Sequence, residues 1–180
     1  MMLYRSLLIF CLACNSLEAF TADNAEAILI ESDAAERNGK TGQTQYVGNV
    51  SIRQGSLIIN ANKVDLYYQG NRVSRIISTG NPANYQQNTQ LGQILASAEI
   101  IEFLPEHKEI QLKTNASLSK DGTLITGDSI YYDIKNETWR AKGNNKSNQK
   151  RIQLVIPPLE KIDQPSPMNM EGSENTEELK

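Results

Sequence analysis

An internal repeat of four units runs through most of the chain, and the units begin at Ile28, Leu57, Ile94 and Leu124. In each unit, aliphatic residues lead to an acid or amide, and an asparagine in a turn follows 16, 19, 16 and 16 residues later. The residue pairs are Asp33 and Asn49, Asn62 and Asn81, Glu99 and Asn115, and Asp128 and Asn144. From one acid or amide to the next the spacing is 29, 37 and 29 residues, and an insertion at residues 86–92 accounts for the longer middle step. Such a period indicates one structural unit that is repeated and stacked.

The hydrophobic pattern inside the units has a period of two. After the acid or amide, three units alternate apolar and polar residues, with the apolar positions at Val64 and Leu66, Ile101 and Phe103, and Ile130 and Tyr132. This alternation predicts β-strands with one buried face. Before the acid the alternation is less regular, which a bulge that shifts the facing by one residue would explain. Hairpin turns are expected at residues 69–71, 106–108, 120–122 and 135–137.

The N-terminus has the order of a secretory signal peptide. A basic start up to Arg5 precedes an apolar run at residues 6–13, and the small-residue site Leu17-Glu18-Ala19 follows. We expect residues 1–19 to be removed on export to the periplasm. An uncleaved anchor and lipidation at Cys14 remain alternatives. Both cysteines, Cys11 and Cys14, lie in this segment, so a processed chain has no thiol for a disulfide or a nucleophile.

The C-terminal residues 157–180 differ in composition from the rest. They are rich in Pro, Ser, Asn and Glu, which predicts a disordered acidic tail. The expected folded domain is therefore residues 20–156, one domain's worth of chain. The tail has six acids and two lysines, a net charge of −4, so the whole-chain charge of −3 leaves the domain at about +1. A neutral domain argues against nucleic acid as a partner, since that binding depends on many basic side chains.

Candidate catalytic groups are few. His107 lies in a charged loop, where it is either a general base or ligand, or a solvated turn residue. Asp33, Glu99 and Asp128 occupy equivalent repeat positions, so they either converge as a hydrolase pair or cap the turn of each unit. With one histidine and no thiol, catalytic dyads and nitrogen–sulfur metal sites have no residues to form them. We expect no enzymatic activity, no cofactor and no metal.

A repetitive β-domain offers an interior and two edges. An interior lined by aliphatic and aromatic side chains suits acyl chains, since burial contributes roughly 0.8 kcal/mol per methylene group. The alternative is that the same side chains form a dry core. Terminal strands with unpaired backbone groups would allow another β-domain to add on. A basic stretch at residues 135–151 meets lipid phosphates or an acidic partner, or is simply a solvated surface.

Four segments of the chain together resemble a known family. They are residues 30–33 (IESD), 46–55 (YVGNVSIRQG), 58–64 (IINANKV) and 80–83 (GNPA). In this order they are similar to the OstA-like domain of lipopolysaccharide transport proteins of the LptA type, over about residues 28–157. Asn62 departs from the pattern, which usually has an acid there. The insertion after Tyr85 is a second departure and leaves the local register uncertain.

The resemblance implies an all-β fold, an OstA-like β-jellyroll of two stacked, slightly open antiparallel sheets. It implies a periplasmic carrier of lipopolysaccharide that bridges inner and outer membranes by head-to-tail strand addition. The implied partners are an LptC-like protein on the inner membrane, an LptD-like protein on the outer membrane, and further copies of the chain. The implied lipid-binding residues face the interior: Ile28, Ile30, Val50, Ile52, Val64, Leu66, Tyr85 and Phe103.

Two other functions remain open. One is a structural envelope scaffold that polymerises without binding lipid. The other is a secreted solenoid that acts on polysaccharide, which would need exposed carboxylates or stacked aromatic residues. The chain has one tryptophan, Trp139, which makes the second alternative the weaker one.

Overall fold

The computed structural model of the protein describes residues 26–144 and 151–158. The expected signal peptide (1–19) lies outside the described residues, as does the expected acidic tail from residue 159 onward. Ten strands follow one another along the chain: β1 (Leu29–Glu31), β2 (Ala34–Asn38), β3 (Gln43–Gln54), β4 (Leu57–Gln69), β5 (Arg72–Thr89), β6 (Gly92–Leu104), β7 (Glu109–Lys120), β8 (Thr123–Asp133), β9 (Thr138–Lys142) and β10 (Gln153–Val155). Among these described residues no helix has the length and apolar character needed to cross a bilayer.

All strand pairs are antiparallel, and β3 to β8 form a meander in which each strand pairs with the next. At one edge, β1 and β2 both pair with β3, one with each half of it. At the other edge, β9 and β10 pair with the two halves of β8 in the same way. The ten strands therefore share one hydrogen-bonded sheet with a short strand pair at each edge. The prediction of an all-β fold is confirmed.

A row of irregularities crosses the middle of this sheet. Every pairing between β3 and β8 shifts register there, at residues 47–50, 60–63, 79–83, 97–100 and 113–116. In β4 the buried positions change from Leu57 and Ile59 before the row to Val64 and Leu66 after it. The spacing from Ile59 to Val64 is odd, so the buried face moves by one residue. The predicted bulge at the acid or amide of each unit is confirmed.

The sheet folds over along this row. The rings of Tyr85 and Phe103 lie 5.3 Å apart in an edge-on contact. Tyr85 is paired with Ala96, and Phe103 follows Ala96 on the same strand, β6. Seven residues of straight strand span about 23 Å. The ring contact therefore requires the two halves of the long strands to double back on each other.

The result is two stacked layers joined by a bend. Layer A comprises β1, residues 50–61, 83–98 and 116–127, and β10, whereas layer B comprises β2, residues 43–47, 63–79, 100–113 and 129–133, and β9. The core side chains between the layers include Ile59, Leu66, Ile94, Leu112 and Ile130, each at most 1 % exposed. This is the expected jellyroll of two stacked antiparallel sheets, continuous through the bend.

The turns follow the sequence prediction. All four predicted hairpin turns connect consecutive strands: β4–β5, β6–β7, β7–β8 and β8–β9. The insertion at residues 86–92 extends the β5–β6 hairpin, where Gln87, Asn88 and Thr89 pair with β6 beyond the last residue pair between β4 and β5. The insertion thus lengthens layer A without disturbing the bend.

Candidate functional site

The acid–asparagine pairs of the repeat lie along the bend and hydrogen-bond to each other. The side-chain amide of Asn49 donates to Asp33 (3.0 Å), and that of Asn115 donates to Glu99 (2.6 Å). Asn144 donates to Asp128 in the same way (3.3 Å). A carboxylate and its amide donor are therefore separated by 16 residues of sequence, and the fold of the strands between them brings the two side chains together. This is the turn-capping role, and the three carboxylates are spread along the bend rather than brought together as a hydrolase pair.

The backbone at the bend accommodates these pairs by turning left-handed. Asn49 has φ of 45°, and Thr114 and Asn115 have φ of 64° and 55°. Asparagine adopts this conformation more readily than most residues. Gly48 also has positive φ, and a Cβ there would collide with the side chain of Asp33. The second unit differs, since Asn62 and Asn81 are two amides and the Asn81–Pro82 peptide is cis.

The candidate catalytic histidine lies away from the interior. His107 is exposed in the β6–β7 turn. In the part of the chain that the structure describes, no three His, Cys, Asp or Glu residues cluster as metal ligands would. The residues expected to bind lipid lie elsewhere, in the interior and at one edge of the sheet.

Six of the eight expected lipid-binding residues lie deep between the layers. They are all at most 5 % exposed: Val50, Ile52, Val64, Leu66, Tyr85 and Phe103. The structure thus brings them together in one apolar interior, as expected. It also shows them packed against each other, so an acyl chain reaches them only if the layers separate. Their contact with lipid stays a prediction.

The other two expected residues mark an open end of the interior at the β1–β2 edge. Ile30 pairs with the buried Ile52 and therefore points inward. Ile28, two residues earlier, is 37 % exposed. In β2, Arg37 is exposed with its guanidinium 5.4 Å from the ring centre of Tyr68. This end thus combines apolar side chains with one cation.

A second open end lies at the β9–β10 edge. Trp139 pairs with the buried Tyr132, and Leu154 pairs with the buried Ile125, so both point inward. They are nevertheless 42 % and 46 % exposed, because no further strand covers them within the described residues. The sequence analysis did not assign either residue to the site. The alternation of Ile152, Leu154 and Ile156 was the available signal for this end.

The outer face of layer B is covered by an ion-pair network instead of apolar side chains. Glu102 pairs with Arg75 (2.7 Å) and Lys113 (2.8 Å), and only 11 % of its side chain is exposed. Burial alone would raise the pKa of Glu102, but the hydrogen bond and charge of Lys113 and the charge of Arg75 outweigh it and lower that pKa. Glu102 is therefore ionised at neutral pH, and this face stays polar.

The described residues of the basic stretch, 135–144 and Arg151, do not gather at the interior. The guanidinium of Arg140 lies 5.6 Å from the ring centre of Tyr131, on the outer face of layer B. Lys135 is exposed in the β8–β9 turn. Lys146 and Lys150 lie outside the described residues. The described part of the stretch agrees with a solvated surface.

Comparison with known proteins finds relatives that are named as lipopolysaccharide export system proteins. A profile of the family described as "LptA/(LptD N-terminal domain) LPS transport protein" matches residues 29–138. The lipopolysaccharide export system protein LptH of Pseudomonas aeruginosa is 28% identical over 150 residues, covering 79% of this chain and 86% of LptH. The LptA protein of Haemophilus influenzae is 28% identical over 151 residues, covering 82% and 86%. The LptA protein of Escherichia coli is 29% identical over 143 residues, covering 78% and 76%.

The fold also matches a solved structure. The crystal structure of LptH from Pseudomonas aeruginosa, described as the LptA-homologous periplasmic component of a lipopolysaccharide transport device, superposes with a TM-score of 0.69. The two chains are 27% identical, and the match covers 77% of this chain and all of the other. The family profile spans all of β2 to β8, which contain the bend and the apolar interior. The chain belongs to the family of LptA and LptD N-terminal-domain lipopolysaccharide transport proteins.

Proposed function

We propose that this protein is a periplasmic carrier that binds the acyl chains of lipopolysaccharide between its two layers and passes them along a bridge between the membranes. The observation that carries the proposal is a continuous apolar core with exposed apolar side chains at both edges of the sheet, Ile28 at one and Trp139 and Leu154 at the other. Apolar side chains that are clustered and exposed at a surface mark sites where a protein binds a ligand or a partner.

The edges supply a way to extend the interior. β1 and β2 pair only with β3, and β9 and β10 pair only with β8, within the described residues. Each edge therefore presents unpaired backbone groups beside an open end of the core, which is where a further strand can add. Addition at these edges would join the apolar interiors of neighbouring molecules. LptC-like and LptD-like proteins, and other copies of this chain, are the proposed neighbours.

The proposed carrier needs no catalysis of its own. Membership of a transport family, together with the solvated position of His107, supports a non-enzymatic role. The signal peptide predicted at residues 1–19 supports export to the periplasm. The proposed division is a removed leader at 1–19, one carrier domain at 20–156 and an acidic tail at 157–180.

A binding titration tests the carrier against the structural scaffold. The purified exported chain is titrated with fluorescent lipopolysaccharide and, as a matched control, with the same molecule after base hydrolysis of its acyl chains. Because each buried methylene contributes roughly 0.8 kcal/mol, the carrier should bind the intact form at least tenfold more tightly. Equal affinity for both forms, or no binding of either, would favour the scaffold that takes no lipid.

A further inference from the structure

The two layers meet again on the side opposite the bend, and Lys120 links them there. We call this side the seam. Lys120 ends β7 in layer A, whereas Glu137 lies in the β8–β9 turn of layer B. The ten residue steps of β8 from Thr123 to Asp133 would separate these two turns by about 33 Å in a straight strand. Their side chains nevertheless form an ion pair of 2.5 Å across the seam.

Further contacts fix Lys120 on the layer A side. Its ammonium group also lies 2.7 Å from the carboxylate of Asp121 and donates to the carbonyl of Leu91 in the β5–β6 turn (2.6 Å). A Cβ on Gly92 would overlap the carboxylate of Asp121, so this close approach needs glycine. One ammonium group thus ties two turns of layer A to one turn of layer B. We call Lys120, Asp121 and Glu137 the clasp.

The ammonium group of the clasp keeps its charge at physiological pH, and the clasp is only partly exposed to solvent. The side chain of Lys120 is 20% exposed, less than half as exposed as Glu137 at 43%. Hydrogen bonds from Lys120 to Asp121 and Glu137 raise the pKa of Lys120 above its ordinary value. Lys120 therefore stays charged throughout the physiological range, and opening the seam means breaking an ion pair rather than losing a proton.

The interior next to the clasp contains a buried polar group that has no hydrogen-bond partner among the described residues. This group is the hydroxyl of Tyr132. Tyr132 lies one residue before the end of β8, next to the turn that holds Glu137, and is therefore near the clasp. Burial raises the pKa of Tyr132, and the charges of Lys120, Glu137 and Asp121 also act on it. A buried hydroxyl without a partner has lost its hydrogen bonds to water and gained none in return, which destabilises the closed state. Opening the seam would hydrate it and relieve part of that destabilisation.

The closed interior needs such an opening. Residues such as Tyr85 and Phe103 are packed against each other and at most 5 % exposed, so an acyl chain has to push the layers apart. The bend resists opening, because continuous strands cross it and the acid–asparagine pairs lie along it. The two layers are joined by no strand pairing at the seam within the described residues. The seam is therefore the side on which the layers separate most easily.

From this geometry we propose that the Lys120–Glu137 ion pair is a gate that controls the entry of acyl chains into the interior through the seam. The inference rests on the proposed carrier function and adds a route and two residues to it. Breaking the pair should speed entry, and a covalent link across the same positions should prevent it. Entry through the open ends at the strand edges would depend on neither.

A reversible cross-link tests the gate. Lys120→Cys and Glu137→Cys are combined in a chain with Cys11 and Cys14 replaced by alanine, and the pair is joined with a reducible bis-thiol linker. The control joins Arg72→Cys to Glu106→Cys, an exposed ion pair between two turns of layer B that does not cross the seam. Uptake of fluorescent lipopolysaccharide is measured before cross-linking, after cross-linking and after reduction.

The gate predicts that cross-linking at 120 and 137 slows uptake at least tenfold and that reduction restores it, whereas the control pair changes it less than twofold. The single variant Glu137→Gln should speed uptake roughly twofold to fivefold, with Glu106→Gln unchanged. Normal uptake by the cross-linked chain would overturn the gate and leave the carrier intact. If the parent chain took up no lipid in any state, the carrier proposal would fail, and the gate with it.

Discussion

At the scale of single residues, the acid–asparagine pairs of the repeat stabilise the bend in the strands. In three of the four units, the 16-residue spacing places an amide donor opposite a carboxylate at the point where the sheet folds over, as in the pair of Asn115 and Glu99. The asparagine does two things there. Its side chain hydrogen-bonds to the carboxylate, and its backbone takes the positive φ that most residues avoid.

Substitutions of Asn115 separate these two contributions. Asn115→Gly keeps the left-handed backbone available and loses the hydrogen bond, so the free energy of unfolding should fall by about 0.5–1.5 kcal/mol. Asn115→Ala also strains the backbone, which should cost roughly 1–2 kcal/mol more. Urea unfolding followed by circular dichroism measures both. An alanine variant as stable as the glycine variant would show that the conformation contributes nothing.

At the scale of elements, the two edges matter more than the central strands. β1 and β10 are each three residues long, and the apolar side chains of Leu29, Leu154 and Val155 are about half exposed there. Apolar side chains that stay exposed are unusual at the free edge of a sheet, where charges normally prevent association. Such edges fit a protein whose sheet continues into another molecule.

Charged residues on β10 should therefore weaken end-to-end association. Lysine at both Leu154 and Val155 places two charges on an edge strand and should raise the dissociation constant for self-association at least tenfold, measured by sedimentation velocity. Leu91→Lys is the control, since Leu91 is 47 % exposed in the β5–β6 turn, away from both edges. An equal effect of both substitutions would mean that association does not use this edge.

The sequence predicted most of the strands, four of the hairpin turns and the bulge near the acid or amide because those features depend on local pattern. It did not predict β2 or β9, whose residues Ala34–Asn38 and Thr138–Lys142 lack a clear alternation and pair only because a long neighbouring strand is present. The clasp also escaped prediction. Lys120 and Glu137 meet only after β8 has folded back, and no local pattern records that distance.

The sequence predicted which residues form the candidate site but not whether they form a dry core or a slot that binds lipid. Alternation identified Val50, Ile52, Val64 and Leu66 as inward-facing, and the structure places all four in the interior. A dry core and a lipid slot use the same side chains, so pattern alone does not separate them. The exposed inward-facing residues Trp139 and Leu154 become visible only when the strand pairing shows what they lie opposite.

At the scale of the whole molecule, the protein is one sheet folded along a rigid bend with a separable seam and two open ends. The bend keeps the layers in register while the seam carries the ion pair of Lys120 and Glu137. A tube with an apolar interior and a polar outer face can shield acyl chains from water while they cross an aqueous compartment. The central claim is therefore that acyl chains occupy the space between the layers.

Photo-cross-linking in living cells tests that claim most directly. A diazirine amino acid is placed at the inward positions Ile30 and Phe103 and at their outward neighbours Leu29 and Leu104, and adducts with lipopolysaccharide are detected by immunoblot. The account predicts adducts at Ile30 and Phe103 and few or none at Leu29 and Leu104. Equal labelling of both faces, or adducts at none of the inward positions, would contradict it.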